Sequence, residues 1–169
     1  MSKDESEHDP FNEPERAHPR ARELMTEEFL WDCADEEAPF GSDEGWEAYY
    51  EFRRWREENT TENLTACLAW IMQGEDLKDY NDVLSSNESI ERDIENPDEA
   101  FLAERYDMFT LDATVIATAL AQLLDEGRID AEAKPYVRVA IKRQSHPKAV
   151  TSEHREKILR AVERVIDAA

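Results

Sequence analysis

The stretch "TLDATVIATALAQLLDE", Thr110–Glu126, constrains this chain more than any other. Wound as a helix, its apolar residues do not gather on one stripe. Leu111, Val115, Ile116, Ala119, Leu120, Leu123 and Leu124 spread over nearly the whole circumference. A helix that is apolar all round must be covered all round. The segment therefore predicts a central buried helix with other elements packed about it. Ala113, Ala117, Thr118, Ala119 and Ala121 are small enough to let those neighbours approach closely. Gly127 follows where a left-handed residue ends a helix.

The rest of the chain supplies helices to do the covering. Asp43–Glu58 places Glu47, Glu51, Arg54 and Glu58 on one narrow strip. Trp46, Ala48, Tyr49, Tyr50, Phe52 and Trp55 take most of the remaining surface, so contact on more than one side is expected. A Thr60-Thr61 cap is expected to start a helix carrying Leu64, Cys67, Leu68 and Ile71. Pro19 suits the first turn of a short helix, with Leu24, Met25 and Phe29 as its apolar face. Pro97 is expected to open a helix through about Phe109. Pro135 begins another, with Val137, Ala140 and Ile141 inward. Thr151 or Ser152 caps the last helix, where Ile158, Leu159, Val162, Val165 and Ile166 recur at helical spacing. Residues 74–96 show the least regular pattern. "YVRVAI" is the one candidate strand. The expected fold is all-α: a single compact, orthogonal or irregular bundle of about six or seven helices over residues 17–169. A mobile acidic tail is expected over residues 1–16.

Charge bounds the partners. The chain holds 41 acidic and 20 basic residues, a net charge of −21. The imbalance is uneven: residues 1–112 carry 33 acids and 10 bases, net −23, while residues 113–169 carry 8 acids and 10 bases, net +2. Such a surface repels nucleic acid and anionic membrane; three readings of it stay open, namely attraction of a basic partner, weak cation binding, or a charge that serves only solubility. No direct nucleic-acid binding is expected. No signal-peptide pattern opens the chain, and no apolar stretch is expected to reach the roughly 18 residues a membrane span needs. A cytoplasmic location is the expectation. Cys33 and Cys67 are then expected to be free thiols.

Chemical motifs are sparse. There is no HExxH, no C-x-x-C, no P-loop, no G-x-G-x-x-G and no G-x-S-x-G. Asp76, Asp79 and Asp82 lack the glycine and register of a calcium loop. Glu15-x-x-His18 and Glu5-x-x-His8 are the Glu-x-x-His matches, both near the N-terminus of a glutamate-rich chain. No catalytic residue, metal or cofactor is assigned.

What stands out is the corner "ADEEAPFGSDEGWEAYYEFRRWREEN", Ala34–Asn59. Pro39 fixes φ and Gly41 permits a tight turn. Ser42 or Asp43 caps the helix that follows, and Asp43 and Glu44 favour its positive end. Phe40 is placed to staple against Trp46 or a near neighbour. Gly45, inside the first turn, costs about 1 kcal/mol relative to Ala. That cost signals close approach of a backbone or a ligand. Asp35, Glu36, Glu37, Phe40, Asp43, Glu44, Trp46 and Tyr50 are the candidate partner-binding residues, with Pro39, Gly41 and Gly45 shaping the turn. Three polar residues fall near the central helix. Asp112 is placed to cap it from its first turn, Gln122 lies in its apolar body, and Arg143 ends the following helix. A buried Gln must be hydrogen-bonded.

Taken together, "AHPRARELMTEEFLWDCADEEAPFGSDEGWEAYYEFRRWREEN" and "LDATVIATALAQLLDEGRIDAEAKPYVRVAIKRQ" resemble the YfeS-like bacterial proteins. The shared elements are His-Pro, Phe-x-Trp-Asp, Pro-Phe-Gly-x-Asp-x-Gly and aromatic-x-x-Trp, over about residues 17–144. The resemblance implies a small, mainly helical bacterial protein and no particular activity. The expected function is non-enzymatic: a protein–protein interaction module, inhibitor-like or immunity-like, engaging a basic partner surface. Two alternatives stay open. One is a small-ligand or metal-assisted enzyme using carboxylates near Pro39–Gly45. The other is a DNA-mimic inhibitor of a nucleic-acid-binding protein.

Overall fold

The central helix organises the molecule. The computed structural model describes residues 10–73, 77–80, 86–99 and 107–169. Seven α-helices occur among them: α1 (Pro19–Leu24), α2 (Asp43–Glu58), α3 (Leu64–Ile71), α4 (Asn87–Glu95), α5 (Met108–Glu126), α6 (Lys134–Ser145) and α7 (Glu153–Ala168). Short 3-10 turns lie at Pro14–Arg16, Glu28–Trp31, Leu77–Tyr80, Pro97–Glu99 and Ala131–Ala133. No strand occurs among the described residues, and "YVRVAI" lies inside α6.

Helix α5 is sheathed as its composition requires. Its most extensive contact is with α2, then α6, and α6 in turn carries α7. Helices α1 and α3 add smaller contacts. Ala117, Ala119 and Ala121 are wholly buried, where close approach of neighbours leaves no room for longer side chains. The helix is 19 residues long with a mean hydropathy of 1.3, so it meets the length and composition of a membrane span. That corrects the expectation of no such stretch. Most of its surface is used inside the bundle, as in the core helix of a globular body.

Local chemistry sets the helix ends. Asp107 Oδ1 accepts from the amides of Phe109 and Thr110 at 3.0 and 3.2 Å, so α5 starts two residues before Thr110. Met108 and Phe109 belong to α5, and the expected helix from Pro97 is a single 3-10 turn as far as the described residues run. Asn63 caps α3, accepting from Thr65 N at 3.0 Å. Thr60 and Thr61 do not cap it, because they form the middle of a turn that Glu62 N closes by donating to the Asn59 carbonyl. Ser42 caps α2 and Ser152 caps α7. Gly127 ends α5 at φ 74°. A Cβ there would also meet the His18 ring at 2.2 Å. Gly127 therefore serves both the left-handed cap and the seating of α1. His18 N donates to the Leu124 carbonyl at 2.8 Å, closing the helix end.

Phe11 moves the expected N-terminal boundary. It is 6% exposed and stacks on Phe40, Tyr49 and Trp46 with centroids 4.8, 5.2 and 5.4 Å away. The expected tail ran to Arg16, but residues 10–16 belong to the body. One aromatic among charged neighbours carries no periodic signal, yet it completes an aromatic cluster. Residues 1–9 lie outside the described residues, as do residues 74–76 and 81–85 of the irregular region. Within that region Asn87–Glu95 is helical, capped by Ser86.

Candidate binding site

The corner before α2 is built on two glycines that touch backbone. A Cβ on Gly41 would lie 1.7 Å from the Asp35 carbonyl oxygen, and one on Gly45 would lie 1.8 Å from the Pro39 carbonyl oxygen. The first turn of α2 is thus pressed onto the Pro39 peptide, and only glycine fits. Ser42 Oγ accepts from Gly45 N at 3.1 Å. Phe40 is wholly buried and Tyr50 is 4% exposed, so neither can meet a partner. Both belong to the aromatic cluster, with Tyr50 edge-on to Trp46 and Tyr49. Their apolar area made them fit the core better than the surface. Trp46 is half-buried and Asp43 is exposed.

The acid cluster divides. Asp35 Oδ2 lies 2.6 Å from His154 Nε2, and Asp35 Oδ1 accepts from Glu37 N at 3.0 Å. Burial alone would raise the Asp35 carboxyl. The His154 contact and the Glu37 amide outweigh it, and the group sits below its ordinary value. Ser152 Oγ donates to the Glu37 carboxylate at 2.8 Å, and Arg155 donates to the Glu37 carbonyl oxygen. Arg155 also donates to Gln144 Oε1, and Gln144 Nε2 donates to the Phe109 carbonyl at 3.2 Å. Asp35 and Glu37 therefore clasp the start of α7. They are structural acids, and they are not free to meet a partner. The side chains of Glu36, Asp43 and Glu44 make no hydrogen bond or ion pair among the described residues.

Beside the corner lies a pocket of about 460 Å³. Its floor is Phe109, Ala113 and Ile116 of α5 with Leu159 and Val162 of α7, and Glu36, Glu37 and Glu44 stand around it. Asp43 and Trp46 are not part of its lining. The volume falls in the range of pockets that take small ligands or anchor side chains.

The three buried polar residues lie elsewhere. Asp112 is wholly buried, and Arg143 Nη1 donates to its Oδ1 at 2.6 Å. Tyr80 also donates to that oxygen, and Arg143 Nη2 reaches Asp93 Oδ2 at 3.3 Å. Burial pushes the Asp112 carboxyl up to about 7, against the pull of Arg143 and the Tyr80 hydroxyl. Asp112 does not cap α5: it sits a full turn inside, joining α5 to α6. Asp112 Oδ2 has no hydrogen-bond partner among the described residues. Gln122 is wholly buried. Its Oε1 accepts from Asp130 N at 2.9 Å, and Asp130 Oδ2 accepts from Leu64 N at 2.9 Å, tying α5 to the start of α3. Asp125, whose carboxyl burial also raises, pairs with Arg53 and Tyr49.

Both cysteines are free thiols. Burial pushes the Cys67 thiol up to about 12, which keeps it a neutral core residue. Among the described residues no group of three His, Cys, Asp or Glu side chains is placed to hold a metal. The sequence reading missed Ser152, His154 and Arg155 as partners of the corner, and Trp70, which is 49% exposed on α3. Ser152 had a local signal as a cap. His154 had none, being 119 residues from Asp35. No family model, no curated protein and no solved structure matches the chain.

Proposed function

We propose that this protein is a non-enzymatic interaction module that engages a basic surface on a partner protein, in the manner of an inhibitor or immunity protein. One observation carries the reading. Glu36, Asp43 and Glu44 are carboxylates without a partner among the described residues, on a corner that two backbone-pressed glycines and the α7 clasp hold in place. A fixed set of unpaired acids loses little entropy on meeting cations, and the net charge of −21 steers a basic partner toward it. The resemblance to YfeS-like proteins is compatible with this reading and adds no activity to it.

A catalytic role is less well supported. A working general acid needs a carboxyl raised by burial within reach of a pocket. Among the described residues the two carboxyls that burial raises, Asp112 and Asp125, do not line the pocket. A DNA mimic would use the same charge without needing the corner's geometry. The test is affinity capture from lysate with the native protein and with Glu36→Gln/Asp43→Asn/Glu44→Gln, quantified by mass spectrometry. Basic proteins captured by the native chain and lost from the variant are expected. A captured set that the triple variant leaves unchanged would overturn the proposal.

A further inference from the structure

The acids of the corner are not equivalent, and the pocket separates them. Asp35 and Glu37 spend their carboxylates on His154 and Ser152. Asp43 is exposed and is not part of the pocket's lining. Among the described residues, Glu36 and Glu44 are the two acids of that lining whose carboxylates have no partner. Between them the floor is apolar: Phe109, Ala113, Ile116, Leu159 and Val162. The one cation in the lining, Arg155, is already held by the Glu37 carbonyl and Gln144. An anionic ligand would meet two carboxylates and a cation whose Nη1 and Nη2 each already donate to a protein oxygen. A neutral apolar ligand would leave the carboxylates unused.

From this geometry we infer that the pocket receives an apolar side chain of a basic protein segment, with lysine or arginine flanking it to pair with Glu36 and Glu44. The inference rests on the basic-partner reading and assigns that partner's contact chemistry. The apolar side chain displaces water from the floor, while the flanking cations stay at the mouth. Affinity then comes mainly from the anchor, and choice of partner from the charges. The volume holds an anchor the size of leucine or larger, with room for part of a neighbour.

Three fluorescein-labelled heptapeptides test it by polarisation: alternating leucine and lysine, alternating leucine and glutamate, and lysine throughout. The leucine–lysine peptide is expected to bind and the leucine–glutamate peptide to fail. Ala113→Phe, which fills the pocket from α5, is expected to abolish binding, and Glu36→Gln/Glu44→Gln to weaken it about tenfold. Should Ala113→Phe fail to fold by circular dichroism, the glutamine pair still decides, since Glu36 is exposed and Glu44 only half-buried. Equal binding of the glutamate peptide, or leucine–lysine binding indifferent to both variants, would overturn the inference. Lysine-peptide binding that needs the acids, with leucine–lysine binding unmoved by Ala113→Phe, would sink the pocket and leave the acidic module standing. No binding of either lysine peptide would remove both.

Discussion

Two carboxylate clusters hold this bundle together by opposite means. At the α5–α6 contact, Asp112 is wholly buried against Arg143 and Tyr80. At the corner, Asp35 and Glu37 stay partly in water while they hold the start of α7. Burial dominates the first and raises its carboxyl; the partners dominate the second and lower it. The same side chain thus becomes a desolvated strut or a solvated clasp, depending on what covers it. The side chains of Glu36, Asp43 and Glu44 do neither: they hold no partner among the described residues.

The sharpest way to break the contrast is to remove one member of the buried pair. Arg143→Met strands Asp112 inside the core and should cost about 3–5 kcal/mol in urea unfolding. A loss under about 1 kcal/mol would mean that the pair is no strut. Next, pH should separate the clusters by sign. With its folded carboxyl at about 7 and its unfolded one near 3.8, Asp112 binds more proton in the folded state between those values. Its contribution is fully present below about 4 and lost as pH rises to about 7. The melting temperature of the native chain should therefore fall relative to Asp112→Asn across that window. A flat difference would show that Arg143 keeps Asp112 ionised throughout. Gly45→Ala should follow at about 3 kcal/mol, because its Cβ meets a backbone carbonyl that cannot turn aside. A neutral Gly45→Ala would show that α2 shifts freely off Pro39.

Asp35→Asn should cost less than about 1 kcal/mol, since His154 is half in water. Its pH sign is the reverse of Asp112. The lowered carboxyl contributes above the unfolded value and loses that contribution as pH falls through the folded one. A melting difference that persists at low pH would contradict the clasp. Smallest of all, Glu36→Gln/Glu44→Gln should leave the unfolding free energy in urea within about 0.5 kcal/mol of native. A larger loss would show that these acids are structural too.

Much of this was legible in the sequence, and the reasons it was are local. The apolar run of α5, the span of α2, the glycine that ends α5 and the serine that caps α7 each follow from residues within a turn or two. Gly45 was legible as a close approach, though the sequence could not say that Pro39 was what approached. Phe40 and Tyr50 were misplaced on the surface because an aromatic beside acids reads either way. Asp112 looked like a cap because position alone does not reveal that Asp107 was nearer the amides. Arg143 and Asp93 meet across 50 residues, and Asp35 and His154 across 119, so no pattern along the chain announces them. The pocket was invisible for the same reason: its walls come from four separate segments.

That assembly has a consequence in time. The lining runs from Glu36 to Val162. While the chain is being made, α2 and α5 can meet early, since their contact asks for no residue beyond Glu126. The pocket has no second wall until α7 has emerged and been caught by Asp35 and Glu37, a closure over more than a hundred residues. A nascent chain that stops short of α7 therefore has the α5 floor of this pocket and lacks the wall that Arg155, Leu159 and Val162 supply.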